Sequence, residues 1–390
     1  MSAKSVLVLG GGIGGITTAT HLAERVGAEA NVTVIDRLPT FHQCAHNLEL
    51  LTREAADPRG SEGRLAALAE RGVRFVEADV RRIDPEGRRV ETSQGSFEAD
   101  CLVIALGAEL ATEQVPGFRE AAINLYEADG AARAGEALAA LERGRVAFLI
   151  ARTPFKCPAA PYEFALLTEW LLRRRGVRKD VALDLYTPEW QPMLAAGEKV
   201  GAEVVRLLNE RSIGYHTEEM ALRVDGAARR VLFETDDAEY DLLLGVPPHV
   251  APLAIREAGL TDTSGWVPVA AGTLRTRFPE VYAIGDVAAV RLHNGLSLPM
   301  AGVFAFQEGL VVAENIAAAI RGGKTTEFNG EGYCYIEVGD GKAAFGSGNF
   351  LASPAPQVTF EPPSAEFKRA KDEFTNAIAR ALPPTVGPPL

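Results

Sequence analysis

Short apolar runs alternate along the chain with segments whose apolar residues recur every three to four positions. Such runs predict buried strands, whereas the helical spacing predicts amphipathic helices. The strands are predicted at 5–9, 31–35, 73–80, 101–105, 145–151 and 181–186, and the helices at 162–174, 199–211, 304–319 and 365–382. Strands that alternate with helices predict an α/β fold with parallel sheets. A hairpin is predicted at 332–350, where apolar and polar residues alternate about a glycine-rich turn.

The first predicted strand ends in a glycine-rich turn, and a helix begins directly after it. Gly10, Gly12 and Gly15 fit the spacing G-x-G-x-x-G. In that motif one glycine makes the tight turn, one lets the backbone approach a pyrophosphate, and one lets the helix pack on the strand. The second strand ends in Asp36, at the acidic position expected to bond a ribose 2′-hydroxyl. The pattern predicts a dinucleotide site, with a tight turn that binds nothing as the alternative, and does not distinguish FAD from a nicotinamide cofactor.

A second strand-turn-helix unit begins near residue 144, but its turn is not glycine-rich. Residues 152–163 contain three prolines, Lys156 and Cys157 where a second phosphate loop would lie. Proline removes N–H donors and bulky side chains keep phosphate oxygens away from the backbone. We therefore expect no tight nicotinamide binding here. After a crossover at 243–252 the chain is predicted to return to the first domain, where a strand ends at Gly285 and Asp286.

Composition and charge narrow the function classes. The formal net charge is -12 and the pI is about 5.2, which argues against nucleic acid or an anionic membrane surface as an electrostatic partner. No targeting segment precedes the first strand and no run reaches the length of a membrane span, so we expect a cytoplasmic protein. The helix at 365–382 is predicted to be a docking or dimer helix, or alternatively a peripheral contact with a membrane surface.

The four cysteines are too scattered for a disulfide scaffold and lack the spacing of metal ligands. The H-x-C-x-H segment at 42–46 has no partner pair, so no metal site is expected. Cys101 lies inside a predicted strand, where burial as a small apolar residue is expected.

Four further segments occur in order along the chain: FKCPAAPYE at 155–163, VPPHVAP at 246–252, LPMAGVFA at 298–305 and GYCY at 332–335. Together they resemble the family of sulfide:quinone oxidoreductases and flavocytochrome c sulfide dehydrogenase flavoproteins. The strand that ends in Gly285 and Asp286 is similar to the second FAD fingerprint of glutathione-reductase-like flavoproteins. The resemblance implies two Rossmann-like domains and a small C-terminal α+β region. The implied boundaries are 1–112 and 246–320 for the FAD-binding domain, 113–245 for the second domain and 321–390 for the C-terminal region.

The resemblance also implies roles for individual residues. Cys157 and Cys334 match a redox disulfide beside FAD, and HS⁻ can attack such a disulfide to leave a persulfide and a thiolate. Glu163 matches a carboxylate that accepts or donates protons, although it could equally complement the dipole of the following helix. Lys156 could favour the thiolate of its neighbour Cys157. The implied cofactor-binding residues are Gly10, Gly12, Gly15, Asp36, Cys44, Val80, Gly107, Gly285 and Asp286.

Three points remain open within the resemblance. Cys44 matches a position of covalent FAD attachment, and a free thiol at the flavin edge or a packed cysteine are the alternatives. Electrons from FAD are expected to reach a quinone, with a cytochrome c as the alternative acceptor. The chain departs from the family pattern at Met300, where many relatives carry a lysine whose positive charge would steady the reduced flavin. An NAD(P)H-linked flavin reductase and a flavin-bound redox sensor that does not turn over are the competing functions.

Overall fold

The computed structural model describes residues 3–54 and 62–379. The strands are β1 (Lys4–Leu9), β2 (Ala30–Asp36), β3 (Thr40–His42), β4 (Glu62–Arg64), β5 (Arg74–Glu77), β6 (Val80–Asp84), β7 (Arg89–Thr92), β8 (Gly95–Glu98), β9 (Cys101–Ile104), β10 (Glu109–Leu110), β11 (Ile123–Asn124), β12 (Gly144–Ile150), β13 (Val181–Tyr186), β14 (Gly214–His216), β15 (Arg223–Asp225), β16 (Arg230–Leu232), β17 (Asp237–Glu239), β18 (Leu242–Val246), β19 (His249–Val250), β20 (Val267–Pro268), β21 (Val281–Ala283), β22 (Ala288–Ala289), β23 (Glu331–Gly339), β24 (Lys342–Asn349) and β25 (Gln357–Ser364). The helices are α1 (Ile13–Val26), α2 (His46–Thr52), α3 (Phe118–Ala121), α4 (Ala128–Ala140), α5 (Ala160–Arg174), α6 (Glu198–Asn209), α7 (Leu253–Glu257), α8 (Gly302–Arg321) and α9 (Ala365–Ala379).

The first parallel sheet has the strand order β21-β9-β1-β2-β5. Its outer strand β21 comes from a distant part of the chain, since it pairs with β9 but follows all the strands of the second parallel sheet in the sequence. Helices α1 and α8 pack together on one face, and the small antiparallel sheet β6-β7-β8 and α7 contribute to the core on the other. The two helices approach closely at Gly309, where a Cβ would lie 2.8 Å from the carbonyl oxygen of Gly14.

The second parallel sheet has the order β11-β18-β12-β13-β14. Helices α4, α5 and α6 cover one face with a large apolar cluster, and the antiparallel sheet β15-β16-β17 with α3 covers the other. Two parallel sheets with helices and small antiparallel layers confirm the predicted α/β class.

The C-terminal region is an antiparallel sheet, β23-β24-β25, with α9 packed on it. The hairpin predicted at 332–350 is formed by β23 and β24, and Cys334 is paired in register with Gly346. Strand β23 also contacts α5 of the second sheet and α8 of the first. The C-terminal hairpin therefore touches the helices of both parallel sheets.

Two sequence predictions are corrected. The single strand predicted at 73–80 is two strands, since β5 pairs with β2 in the parallel sheet whereas β6 pairs with β7 in an antiparallel one. The prediction that no segment has the length of a membrane span is also wrong, because α8 meets that criterion of length and composition. In its most apolar window 61% of α8 is buried, so its apolar character serves packing between α1 and β23. The predicted end of the last helix, 380–382, lies outside the described residues.

Candidate active site

The glycine turn between β1 and α1 is closed on one side and open on the other. Gly10 has a φ of +107°, a conformation that favours glycine. A Cβ on Gly15 would lie 1.9 Å from the carbonyl oxygen of Gly10, whereas a Cβ on Gly12 would meet no atom within 4 Å. The absence of a side chain at Gly10 and Gly15 allows the turn to pack against the start of the helix. The open side at Gly12 fits the approach of a pyrophosphate.

Asp36 is held beside this turn at the end of β2. One carboxylate oxygen accepts a hydrogen bond from the Gly11 N–H at 2.6 Å, and the other accepts one from the Leu38 N–H at 2.8 Å. A carboxylate has about four lone-pair sites, so acceptor capacity remains after these two bonds. The placement fits the predicted bond to a ribose hydroxyl.

Three of the other predicted cofactor residues, Gly107, Gly285 and Asp286, follow strands of the same sheet. Gly107 comes after β9 and Gly285 after β21, and both have positive φ angles, +67° and +70°. Parallel sheets bind ligands outside the carboxyl ends of their strands, which is where these turns lie. Val80 instead starts β6, in the antiparallel layer.

A cleft of about 220 Å³ opens at Gly285. Its walls come from the turn after β21, from the segment before α8 and from the first turns of α8, and include Met300, Phe304 and Glu308. Asp286 directly follows Gly285. Burial raises the pKa of Asp286, and the charge of Lys156 opposes this rise.

Cys157 lies in the loop between β12 and α5, which we call the redox loop (residues 151–159). Its φ of +50° is in the left-handed region, which costs a residue with a side chain about 1 kcal/mol or more. Backbone bonds hold it there: the Cys157 N–H donates to the Met300 carbonyl oxygen at 2.6 Å, and the Cys157 carbonyl oxygen accepts from the Ala160 N–H at 2.9 Å. The Tyr126 hydroxyl donates to the same carbonyl oxygen at 3.3 Å. The bond to Met300 ties the redox loop to the wall of the cleft.

Cys334 lies in the middle of β23 and packs, with Cys157, against the apolar cluster around α5. Both cysteines are free thiols in this structure. Burial raises the pKa of Cys157 to about 12 and that of Cys334 well above its usual range. The charge of Cys157 raises the pKa of Cys334 further. The two predicted redox cysteines, 177 residues apart in sequence, are therefore brought to one buried region.

Glu163 belongs to a buried group of charges that the sequence did not reveal. It lies in the first turn of α5, and Glu163 Oε1 accepts from the Glu337 N–H at 2.8 Å and from Lys371 Nζ at 2.5 Å. Lys371 Nζ also donates to Glu337 Oε2 at 3.1 Å. Burial lowers the pKa of Lys371, but the charges of Glu163 and Glu337 outweigh this effect and raise it. Burial raises the pKa of Glu163, and the charge of Lys371 opposes that rise. We call Glu163, Glu337 and Lys371 the buried charge triad.

Cys44 precedes α2 and is half-buried. The Lys156 side chain lies beside it, with Nζ 6.0 Å from the centre of the Tyr126 ring. The pKa of Lys156 is raised, first by negative charge at Cys44, against burial, and then by Asp286 and Cys157. The ammonium group of Lys156 is therefore influenced more by Cys44 than by its sequence neighbour Cys157.

A family model and several known proteins are similar to this chain. The model of the pyridine nucleotide-disulphide oxidoreductase family matches residues 4–146, which contain the glycine turn, Asp36 and Gly107. The matched segment is 143 of the 390 residues.

Similar proteins and solved structures cover most of this chain. The mitochondrial sulfide:quinone oxidoreductase of Mus musculus is 25% identical over 391 residues, 96% of this chain and 83% of the mouse protein. An alternative NAD(P)H-ubiquinone oxidoreductase of Arabidopsis thaliana is 29% identical over 81% of this chain and 67% of its own length. The crystal structure of the sulfide:quinone oxidoreductase from Aquifex aeolicus superposes with a TM-score of 0.86 at 22% identity, covering 97% of this chain and 92% of that one.

The second sheet differs from a nucleotide-binding unit at the start of α5. Tyr162, in the first turn, is fully buried, and its hydroxyl donates to Glu189 Oε2 at 2.6 Å. Glu189 follows β13, and burial raises its pKa to about 7. Pro158 and Pro161 flank this turn and supply no N–H groups. The start of α5 is thus filled by side chains where a phosphate would need open backbone.

Proposed function

We propose that this chain oxidises sulfide, or a related small sulfur species, and passes the electrons to FAD and then to a quinone. The mouse and Aquifex relatives are named for this reaction. Gly12, Asp36 and the cleft at Gly285 fit the cofactor, since they offer open backbone, a fixed carboxylate and a pocket at the carboxyl edge of one sheet. Bound there, FAD would supply a two-electron acceptor.

The observation that carries the proposal is that Cys157 and Cys334 pack against the same apolar cluster, with Cys157 bonded to Met300 in the wall of the cleft. In the oxidised pair, HS⁻ attacks one sulfur, so that one S–S bond forms, the cysteine disulfide breaks, and the two cysteines become a persulfide and a thiolate. The bond from the Cys157 N–H to the Met300 carbonyl oxygen keeps this chemistry against the cleft wall. The apolar surroundings, which raise both thiol pKa values, favour the uncharged disulfide over a pair of thiolates.

The buried charge triad supplies the proton acceptor that sulfide oxidation needs. H₂S must lose protons as its sulfur is oxidised, and Glu163 lies close enough to both cysteines to raise their pKa values. Because burial raises the pKa of Glu163 and Lys371 opposes the rise, a proton can be taken up there without leaving an unpaired charge.

An aromatic cluster supports a quinone as the acceptor. Tyr333 and Tyr335 flank Cys334 along β23, and they form a continuous set of ring contacts with Phe345, Phe367 and Phe374, at centroid distances of 5.0 to 6.1 Å. Flat rings of this kind stack well with a quinone ring. A cytochrome c remains the alternative that the acceptor assay distinguishes.

Anaerobic titration of the FAD-loaded protein with sulfide tests the proposal. Sulfide should bleach the flavin absorbance, and a soluble quinone added afterwards should restore it. Cys157→Ser should abolish bleaching while FAD stays bound, and Cys101→Ser, a substitution in the buried strand β9, is the matched control that should still bleach. A wild-type flavin that stays oxidised at high sulfide, or a fully active Cys157→Ser variant, would refute the proposal. If cytochrome c restores the flavin absorbance and the quinone does not, cytochrome c is the electron acceptor instead of the quinone.

An NAD(P)H-linked reductase is the second candidate, because the Arabidopsis relative is named for that activity. The filled start of α5 argues against it. NADH should leave the flavin of this chain oxidised under anaerobic conditions. Rapid bleaching by NADH, with none by sulfide, would favour the second candidate.

We further propose that Cys44 attaches FAD covalently, since it matches the position of attachment and the Lys156 side chain lies beside it. After denaturation in acid the yellow colour should stay with the wild-type chain and leave the Cys44→Ser chain. Release of all flavin from the wild type would leave Cys44 as a free thiol.

A further inference from the structure

Glu308 is a buried acid that no step described above uses. It lies on α8 and is 2% exposed, yet it forms part of the wall of the cleft together with Gly285, Met300 and Phe304. Buried carboxyl groups in proteins are normally paired with a cation or neutralised by a proton. The surroundings of Glu308 therefore decide which form it takes.

One hydrogen bond fixes the Glu308 side chain. Glu308 Oε2 accepts from the Gly285 N–H at 2.6 Å, so the acid holds the turn that presents Asp286. Among the ion pairs of residues 3–54 and 62–379, none includes Glu308. The like charge of Asp286 disfavours ionisation of Glu308.

The elements packed around α8 offer no nearby compensation. Lys156 of the redox loop faces Asp286 and Cys44. On α1, His21 and Arg25 pair with Glu314, two turns further along α8, and Glu24 pairs with Arg71. On β23, Cys334 packs against the cluster around α5, while Tyr333 contacts the aromatic cluster. Burial and the charge of Asp286 raise the pKa of Glu308 to about 8, and the Gly285 N–H opposes the rise.

We propose that Glu308 is a positioning residue of the cofactor cleft, which works as an uncharged carboxylic acid and loosens the cofactor when it ionises. The inference rests on the proposed binding of FAD in this cleft. The acid form holds Gly285 without adding charge beside Asp286. The ionised form places a second negative charge next to Asp286, at a site for a cofactor that carries two phosphates.

The proposal makes FAD affinity depend on pH in a defined direction. A group with a pKa of about 8 that must be protonated for tight binding weakens binding about tenfold between pH 6 and pH 9. A glutamine at position 308 keeps the size and an acceptor oxygen for the Gly285 N–H, but it cannot ionise. It should therefore bind FAD with the same affinity at both pH values.

The experiment measures the dissociation constant of FAD at pH 6 and pH 9 by quenching of FAD fluorescence. All proteins carry Cys44→Ser, so that the cofactor can exchange. Glu308→Gln should lose the pH dependence. Glu314→Gln, on the same helix but half-exposed and paired with Arg25, is the matched control and should keep the wild-type dependence.

The outcomes separate the inference from the function on which it rests. A chain that binds no FAD at any pH refutes the proposed function. A chain that binds FAD with no change from pH 6 to pH 9, or a Glu308→Gln variant that keeps the full change, refutes the role of Glu308. If Glu308→Gln fails to fold, the wild-type pH series decides alone, together with the infrared C=O band of a protonated buried carboxyl group, which should be present at pH 6 and lost above pH 9.

Discussion

Lys371→Met should destabilise the protein strongly, because it removes the cation that Glu163 and Glu337 share. Methionine keeps most of the length of the side chain, so the change isolates the charge. Lys371 is 8% exposed and Glu163 is 3% exposed. The variant leaves Glu163 buried, with the Glu337 N–H as its remaining hydrogen-bond donor among the described residues.

The magnitude follows from the burial of the pair. Breaking a buried ion pair by removing one partner costs about 3 to 5 kcal/mol, since the other charge stays in a low-dielectric region. Glu163 retains one backbone bond, and Lys368 lies 3.5 Å from Glu337, so we expect a loss of about 3 kcal/mol at pH 8.

The loss should depend on pH. Burial raises the pKa of Glu163 in the folded protein, and removing Lys371 raises it further. A carboxyl group with a raised folded pKa contributes its stability at low pH and loses it as the pH rises through that pKa. The variant should therefore lie closer to the wild type at pH 5 than at pH 8.

Urea melts at constant FAD, followed by tryptophan fluorescence, measure this difference; Trp170 lies on α5 two turns after Glu163. The matched control is Lys368→Met on the same helix, which removes pairs with Asp372 and Glu337 that are more exposed and should cost no more than about 1 kcal/mol. A Lys371→Met loss below about 1 kcal/mol at pH 8, or equal losses for the two variants, would contradict the assigned burial of the triad.

Two further predictions concern the glycine turn and Glu189. Gly15→Ala should lower the free energy of unfolding of the apoprotein by about 2 kcal/mol or more, because its Cβ would lie 1.9 Å from the Gly10 carbonyl oxygen. Gly12→Ala should change that stability by less than about 0.5 kcal/mol and should weaken FAD binding. Urea melts measure the stability of the two variants and FAD titrations measure their affinity. Equal stability losses for Gly15→Ala and Gly12→Ala would refute the prediction. Glu189→Gln should gain stability relative to the wild type, by up to about 3 kcal/mol, as the pH rises from 5 to 8, because the raised pKa of about 7 makes the wild type lose stability over that interval. Urea melts of both proteins at pH 5 to 8 measure this difference. If the difference in unfolding free energy between them stays constant over that range, the prediction is wrong.

Local patterns predicted the parts of the fold that neighbouring residues determine. The apolar run before Gly10 is β1, whose last four residues are buried, because burial on both faces of a parallel sheet requires a continuous apolar run. The strand predicted at 181–186 is β13, in which buried residues alternate with more exposed ones. The segment 73–80 shows the limit of this reasoning. Its composition fits a strand throughout, but hydrogen-bond partners decide that β5 joins one sheet and β6 another.

The sequence by itself determined the α/β class and the glycine turn with Asp36, since each depends on residue type and short spacing. The candidate cysteines followed from the resemblance of the segments that contain them. The tertiary structure decided which of these groups share a site. Lys371 reaches Glu163 across 208 positions of sequence, and the redox loop is tied to the cleft through Met300. The burial of Glu308 likewise depends on how α8 meets the turn at Gly285. Periodicity shows that a residue lies on a helix face, but the packing of distant elements determines which charges that face meets and whether water reaches them.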